Sequence, residues 1–193
     1  MTIRDDVGEL RARLAVRAEA AGLLEVAYRT IDTPVGRVLL AATDRGLVRV
    51  AFERQGFDAT LDRLADALGP RVLEAPGRLD AAAREIDEFF AGRRTGFDVP
   101  LDFALSTGFR LDVQRSLTTI GYGRTRSYRE VAQAVGNPGA VRAVGTACAT
   151  NPLPLVVPCH RVTRADGSPG RYAGGEEAKV MLLALEATGV ANR

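Results

Sequence analysis

Hydrophobic and polar positions recur along this chain with two different periods, and the period names the elements. Val7, Leu10, Leu14 and Ala18 repeat every three or four residues among arginines and acids, which predicts an amphipathic helix over 4–21. Strand-like runs follow at Leu24–Ile31, Val38–Ala42 and Leu47–Phe52, the last two joined as a hairpin through Asp44-Arg45-Gly46. Leu61–Leu68 reads as helix, stopped by Gly69-Pro70. Asp80–Phe90 reads as another, with Leu79, Ala83, Ile86 and Phe90 at helical spacing and Gly92 as its stop. The first half is therefore expected to be an α/β unit, a small antiparallel sheet with helices.

Residues 93–107 read as a connection with short extended pieces around Phe97–Leu101, and the remainder reads as mostly helical. Phe109, Val113 and Leu117 line one face of a helix that Gly121-Tyr122-Gly123 breaks. Ser127 followed by Glu130 is a capping box and opens the next helix, whose apolar side is Val131, Ala132 and Val135 and whose end is Gly136. Asn137-Pro138 is expected to restart helix at once, with Asn137 as N-cap and Pro138 at the first helical position. Ala140, Val141, Ala143, Val144 and Ala147 carry it on. Two short helices about a tight turn make a helix-turn-helix candidate. A last helix is expected over Ala178–Ala187. The expected division is a helical extension at 1–25, the α/β domain at 26–92, the connection at 93–107 and a helical domain at 108–190.

Composition changes this picture little, and charge changes it more. Hydrophobic residues make up 46% of the 193 positions, enough for a core. No run is long and apolar enough to span a bilayer, and residues 1–25 lack the apolar stretch of a signal peptide, so a cytoplasmic setting with reduced cysteines is expected. The net charge of +2 hides an asymmetry: nine arginines lie between Arg110 and Arg171 against the three acids Asp112, Glu130 and Asp166. A basic half of this kind fits a phosphate-binding surface as well as a solvated arginine face. The second helix of the candidate motif is lean, with Ala140, Ala143, Gly145, Thr146, Ala147 and Ala149. It carries few side chains that can read major-groove edges, and it suits close approach in a narrower groove with Arg142 as its long basic reach.

Candidate chemistry gathers in Asn151–Val162, NPLPLVVPCHRV, where the single histidine, His160, follows Cys159, one of two cysteines. Taken alone, a cysteine after Leu155-Val156-Val157 is usually a small buried hydrophobe. A neighbouring histidine and Arg161 would both favour thiolate, the nucleophilic form. Adjacent side chains on an extended strand point apart, so Cys159 and His160 cooperate only through a backbone turn or a bridging water. Triad logic asks for a carboxylate to orient the ring, and Glu186, among the apolar residues of LLALE, is either at the helix surface or paired inside. One histidine and two cysteines cannot complete a Cys/His zinc site, and neither metal nor cofactor is expected.

From about Phe109 to Glu186 the chain resembles the O6-alkylguanine-DNA alkyltransferases. The motifs are TRSYREVA, GNPGAVRAVG, NPLPLVVPCHRV, GRYAGGEEAK and LLALE, and PCHRV is specific in that setting. The resemblance implies direct-reversal repair of double-stranded DNA approached through the minor groove, with single-turnover transfer of an alkyl group from guanine O6, and from thymine O4, to Cys159. It also implies a flipped nucleotide. His160 would act as base through water, Glu186 would hold its ring, Asn151 would brace the turn, and Tyr128 would crowd the phosphate and donate a proton. Arg142, Ala140, Ala143, Gly145 and Thr146 would face DNA. Tyr172, Ala173, Gly174 and Val162 would shape the pocket; Cys148 is placed beside them as a small filler rather than a second reactive thiol. A monomer able to assemble cooperatively on DNA is expected. Gly121 and Gln114 stand where the family commonly has proline and an aromatic. A DNA-lesion-binding protein without chemistry and a cysteine hydrolase are the competing classes, distinguished by label transfer and turnover number.

Overall fold

The computed structural model describes residues 3–191, with side chains described from Leu10 onward except Arg11 and Ala12, and as far as Gly189. Helix α1, Ile3–Ala20, leads into a four-stranded sheet of β1 (Val26–Ile31), β2 (Val38–Ala42), β3 (Leu47–Phe52) and β4 (Val72–Glu74) in the order β3-β2-β1-β4. β1, β2 and β3 are antiparallel as expected, whereas β4 adds parallel to β1 and makes the sheet mixed. β4 is only three residues long and half exposed, too short to show a period. All five residues of β2 are buried, because both faces of the sheet are covered. Leu39 and Ala41 pack with Leu64 of α2 (Phe57–Leu68) on one side. Val38, Leu40 and Ala42 pack on the other with Ile86 and Phe89 of α3 (Asp80–Phe90).

The expected inward face of α1 is not the one buried. Leu10 and Leu14 are exposed, while Ala15 packs with Leu24, Ala27 and Ala75, and Glu19 accepts from Arg78 at 3.1 Å. A small side chain lets the helix backbone approach the sheet closely, and the larger residues turn outward. Val7 lies outside the described side chains.

The connecting segment makes one parallel bridge to β3, Leu101 beside Leu47. Leu47 N–H donates to Pro100 O and Asp102 N–H to Leu47 O, both at 2.8 Å, which covers the outer edge of β3. Asp102 is buried and accepts from the Thr43 hydroxyl at 2.7 Å. Beyond it come α4 (Gly108–Leu117), β5 (Arg126–Ser127), α5 (Tyr128–Ala134), α6 (Val141–Ala149), β6 (Val162–Thr163) and α7 (Glu176–Ala191). Val113, Leu117, Val144, Leu153 and Leu182 join Leu40, Phe52 and Phe89 in one continuous core, so the two halves fold against each other.

Candidate active site

Three local devices aim the site. The first is the Ser127–Glu130 capping box: Glu130 N–H donates to Ser127 Oγ at 3.2 Å and Ser127 N–H to Glu130 Oε2 at 2.6 Å. It fixes Tyr128 at the first turn of α5. β5 pairs in parallel with β6, Arg126 opposite Val162 and Ser127 opposite Thr163, and ties that turn to the segment after Cys159.

The second device is the turn between α5 and α6. Gly136, at φ 73°, sits in a Schellman end, with Asn137 N–H on Ala132 O at 2.9 Å and Gly136 N–H on Gln133 O at 3.0 Å. Helix does not restart at Asn137. Ala140 N–H closes a turn onto Asn137 O at 3.0 Å, and α6 begins at Val141 with Ala140 as its cap. Pro138 and Gly139 take the two central positions of that β-turn, where proline's fixed φ and glycine's freedom are favoured, so the chain makes one separate turn before α6. On α6, Val144, Ala147 and Cys148 point inward, while Arg142, Ala143 and Thr146 are exposed and Ala140 and Gly145 half-exposed. Cys148 is thus buried beneath the helix, its thiol pushed up by burial, and it fills space. Gln114 of α4 is also buried, with no hydrogen bond to its carboxamide among the described residues.

The third device is NPLPLVVPCH itself. The Asn151 carboxamide donates to Val157 O at 2.9 Å and accepts from Leu153 N–H at 3.0 Å, bracing the loop from inside. The buried Leu155 is held in the left-handed region at φ 76°, a conformation that costs about 1 kcal/mol or more for such a residue. Pro158, at φ −80° and ψ 62°, centres an inverse γ-turn closed by Cys159 N–H on Val157 O at 2.8 Å. Cys159–Arg161 then forms one 3-10 turn. The backbone does turn between Cys159 and His160, which is the condition for the two side chains to serve one site.

His160 is fully buried, and its Nε2 lies 2.8 Å from Glu186 Oε1. Burial lowers the imidazole's pKa against the opposing carboxylate, so the ring is neutral. A neutral ring that donates from Nε2 leaves Nδ1 as the basic nitrogen, and Nδ1 has no hydrogen bond among the described residues. Burial works to raise the Glu186 carboxyl, but hydrogen bonds from His160 and Arg161 outweigh it and hold it below the usual range. Arg161 does not face the thiol. Its Nε and Nη2 donate to Glu186 at 2.9–3.1 Å, its Nη1 donates to Ile120 O, and Gly123 N–H adds a bond to Glu186 at 3.0 Å. It supports the carboxylate that supports the histidine, and it is buried rather than part of a basic surface.

Cys159 is 3% exposed, and burial pushes its thiol up to about 11, opposed by the Asn151 carboxamide and the charge of Lys179. Lys179, the only lysine, is the residue that sequence reasoning passed over: it is buried and donates to Val162 O at 2.6 Å. Its signal was its isolation, a lone lysine among arginines four residues after Gly175. Val162 O therefore already holds one donor. Tyr172 packs edge-on against Phe52 at 5.5 Å and His160 at 6.2 Å, with its phenol raised by burial. Gly174 leaves the notch that Phe52 fills: a Cβ there would stand 2.8 Å from the ring. Tyr128 is half-buried and its phenol is raised by burial, so it stays protonated as a donor. Among the described residues no three His, Cys, Asp or Glu are grouped to hold a metal, and no helix is long and apolar enough to cross a membrane.

Two family models divide the chain between them. Residues 26–103 match the 6-O-methylguanine DNA methyltransferase ribonuclease-like domain, and residues 108–188 match the DNA binding domain of the same family. The chain belongs to the 6-O-methylguanine DNA methyltransferase family. The methylated-DNA–protein-cysteine methyltransferase of Mycolicibacterium paratuberculosis is 42% identical over 161 residues, covering 83% of this chain and 92% of that protein. The bifunctional transcriptional activator/DNA repair enzyme Ada of Escherichia coli is 39% identical over 166 residues, which cover 85% of this chain and 46% of Ada. Among solved structures, Mycobacterium tuberculosis OGT in complex with DNA superposes with a TM-score of 0.75 at 39% identity, covering 84% of this chain and 94% of that one.

Proposed function

We propose that this chain repairs alkylated DNA by the reaction its relatives are named for, methyl transfer from DNA to a protein cysteine, with Cys159 as acceptor. The observation that carries the reading is that His160, on the same 3-10 turn as the thiol, is paired in the interior with Glu186 of α7, which Arg161 braces. With the thiol near 11, ionisation at neutral pH costs about 5 kcal/mol, so proton removal must accompany attack. A water between Sγ and His160 Nδ1 passes the thiol proton to the ring, and Glu186 stabilises the imidazolium that forms. The sulfur pair forms the S–C bond to the methyl carbon, and the C–O6 bond breaks with its electrons on guanine oxygen. Tyr128 donates a proton to the leaving base. Lys179 favours the thiolate electrostatically. The thioether has no route back, so each molecule acts once.

The remaining assignments follow from the same reading. The target atom is inaccessible in a duplex, so the nucleotide is flipped, with the α5–turn–α6 unit as the helix-turn-helix and α6 laid in the minor groove through Ala140, Ala143, Gly145 and Thr146 while Arg142 fills the stack. Tyr172, Ala173 and Gly174 shape the base pocket, and O4-alkylthymine is a second substrate. The setting is the cytoplasm, the protein a monomer off DNA, and the division at 93–107 separates the two working domains. The test is an oligonucleotide bearing labelled O6-methylguanine. Label should stop at one per chain and vanish in Cys159→Ser. Several turnovers, or binding with no label, would reject the scheme.

A further inference from the structure

A basic cleft of about 490 Å³ lies between the two halves, lined by Arg54, Arg164, Gly170, Arg171, Tyr172, Gly175 and Glu176. Three arginines and one glutamate line it, none of the three arginines has an ion pair within 4 Å among the described residues, and Asp166 beside the cleft shares Ser168 with Arg164, so the arginines still outnumber the acids. Arg164 Nη1 reaches only the Ser168 hydroxyl, at 3.2 Å, which leaves most of its donors free.

The arginines come from separate parts of the chain. Arg54 belongs to a 3-10 turn, Glu53–Gln55, that continues β3 and is pinned by Phe52 N–H on Gln55 Oε1 at 3.0 Å. From there it crosses to the other half. Its Nη1 occupies the space of the absent Gly175 side chain, 2.2 Å from where a Cβ would stand, and Gly175 itself is at φ 96°. At the far wall Gly170 makes the same kind of allowance for Tyr128, whose hydroxyl lies 2.8 Å from the position of a Cβ. The cleft thus runs from the phenol proposed to meet the target's phosphate to an arginine supplied by the N-terminal half.

The lining decides the ligand class. It is polar and glycine-rich, without the apolar walls a drug-like or peptide ligand needs, and its donors are planar guanidinium forks suited to phosphate oxygens. Resting on the repair reading above, we propose that Arg54, Arg164 and Arg171 clamp a backbone phosphodiester of the alkylated strand, beside the flipped nucleotide. The N-terminal half then contributes directly to DNA engagement as well as supporting the active-site loop.

The experiment compares wild type with Arg54→Gln/Arg171→Gln in single-turnover methyl transfer from a duplex and from free O6-methylguanine base, across a salt series. Both side chains are exposed, so the fold tolerates the exchange. The duplex-to-free-base rate ratio should fall about tenfold at sub-saturating DNA, and the slope of log K against log salt should lose about 1 unit, as expected for one phosphate contact. Lysine at both positions should restore the slope. A single methylphosphonate walked along the strand should find one position that slows wild type and adds nothing to the loss in the variant. An unchanged slope, or no such position, overturns the clamp. Wild type that takes no label from either substrate defeats the repair reading itself, a distinct result.

Discussion

Replacing Glu186 with glutamine tests the buried relay through both stability and rate. Glu186 is 1% exposed and accepts from His160, from Arg161 through Nε and Nη2, and from Gly123 N–H. Glutamine keeps the shape and one acceptor oxygen but removes the charge opposite a buried guanidinium. Breaking one side of a buried pair costs about 3–5 kcal/mol. The retained acceptor recovers about 1 kcal/mol, which leaves a loss of about 2–4 kcal/mol. For a chain of this size each kcal/mol shifts Tm by about 2–4 °C, so a fall on the order of 10 °C is expected in calorimetry. The imidazolium also loses its counter-charge, and single-turnover transfer at a temperature where the variant is folded should slow by about 10²-fold. Duplex affinity, measured separately, should hold. A Tm within about 2 °C of wild type would refute the claim that Arg161 depends on this carboxylate. An unchanged rate would remove Glu186 from proton transfer.

Four further outcomes are expected. Asn151→Ala strands the Leu153 N–H in the interior and takes one of two donors from the Val157 carbonyl, which keeps Cys159 N–H, and should cost about 1–3 kcal/mol in urea unfolding; a loss under about 0.5 kcal/mol would mean the loop is braced elsewhere. His160 and Glu186 both titrate below their ordinary ranges in the folded state, so their contribution to stability is complete above those ranges and lost as pH falls. Tm should therefore drop first below about pH 6.5 and again near pH 4, the first step absent in His160→Asn; a flat profile from pH 7 to 5 would contradict a neutral buried ring. Gly174→Ala drives a methyl into the Phe52 ring and should cost about 1–3 kcal/mol, with most of it recovered in the double variant with Phe52→Leu; additive losses in the cycle would show the two do not meet. Arg142→Ala should slow repair in duplex more than transfer from free alkylguanine, and equal losses would rule out its entry into the stack.

Local signals in the chain located most elements. Asp80–Phe90, Val38–Ala42 and Leu47–Phe52 fall where periodicity and glycine stops put them, and the Ser127–Glu130 box opens α5 at the expected residue. Errors arose where tertiary packing overrode local preference. Ala15 rather than Leu10 or Leu14 meets the sheet, because close approach favoured the small side chain. Asn137 accepts in a turn rather than capping a helix. β4 exists only because β1 offers an edge beside it.

The sequence by itself determined the reactive residue types, the capping chemistry and the family pattern, since these rest on spacings within a few positions. Only the folded chain decided which charges meet. It sent Arg161 to Glu186 instead of to the thiol, set Lys179 beside Val162, and carried Arg54 across to Gly175. Those pairings join residues 17 to 121 positions apart (179 − 162 and 175 − 54), and a contact at such separation is a property of packing, which no local period encodes.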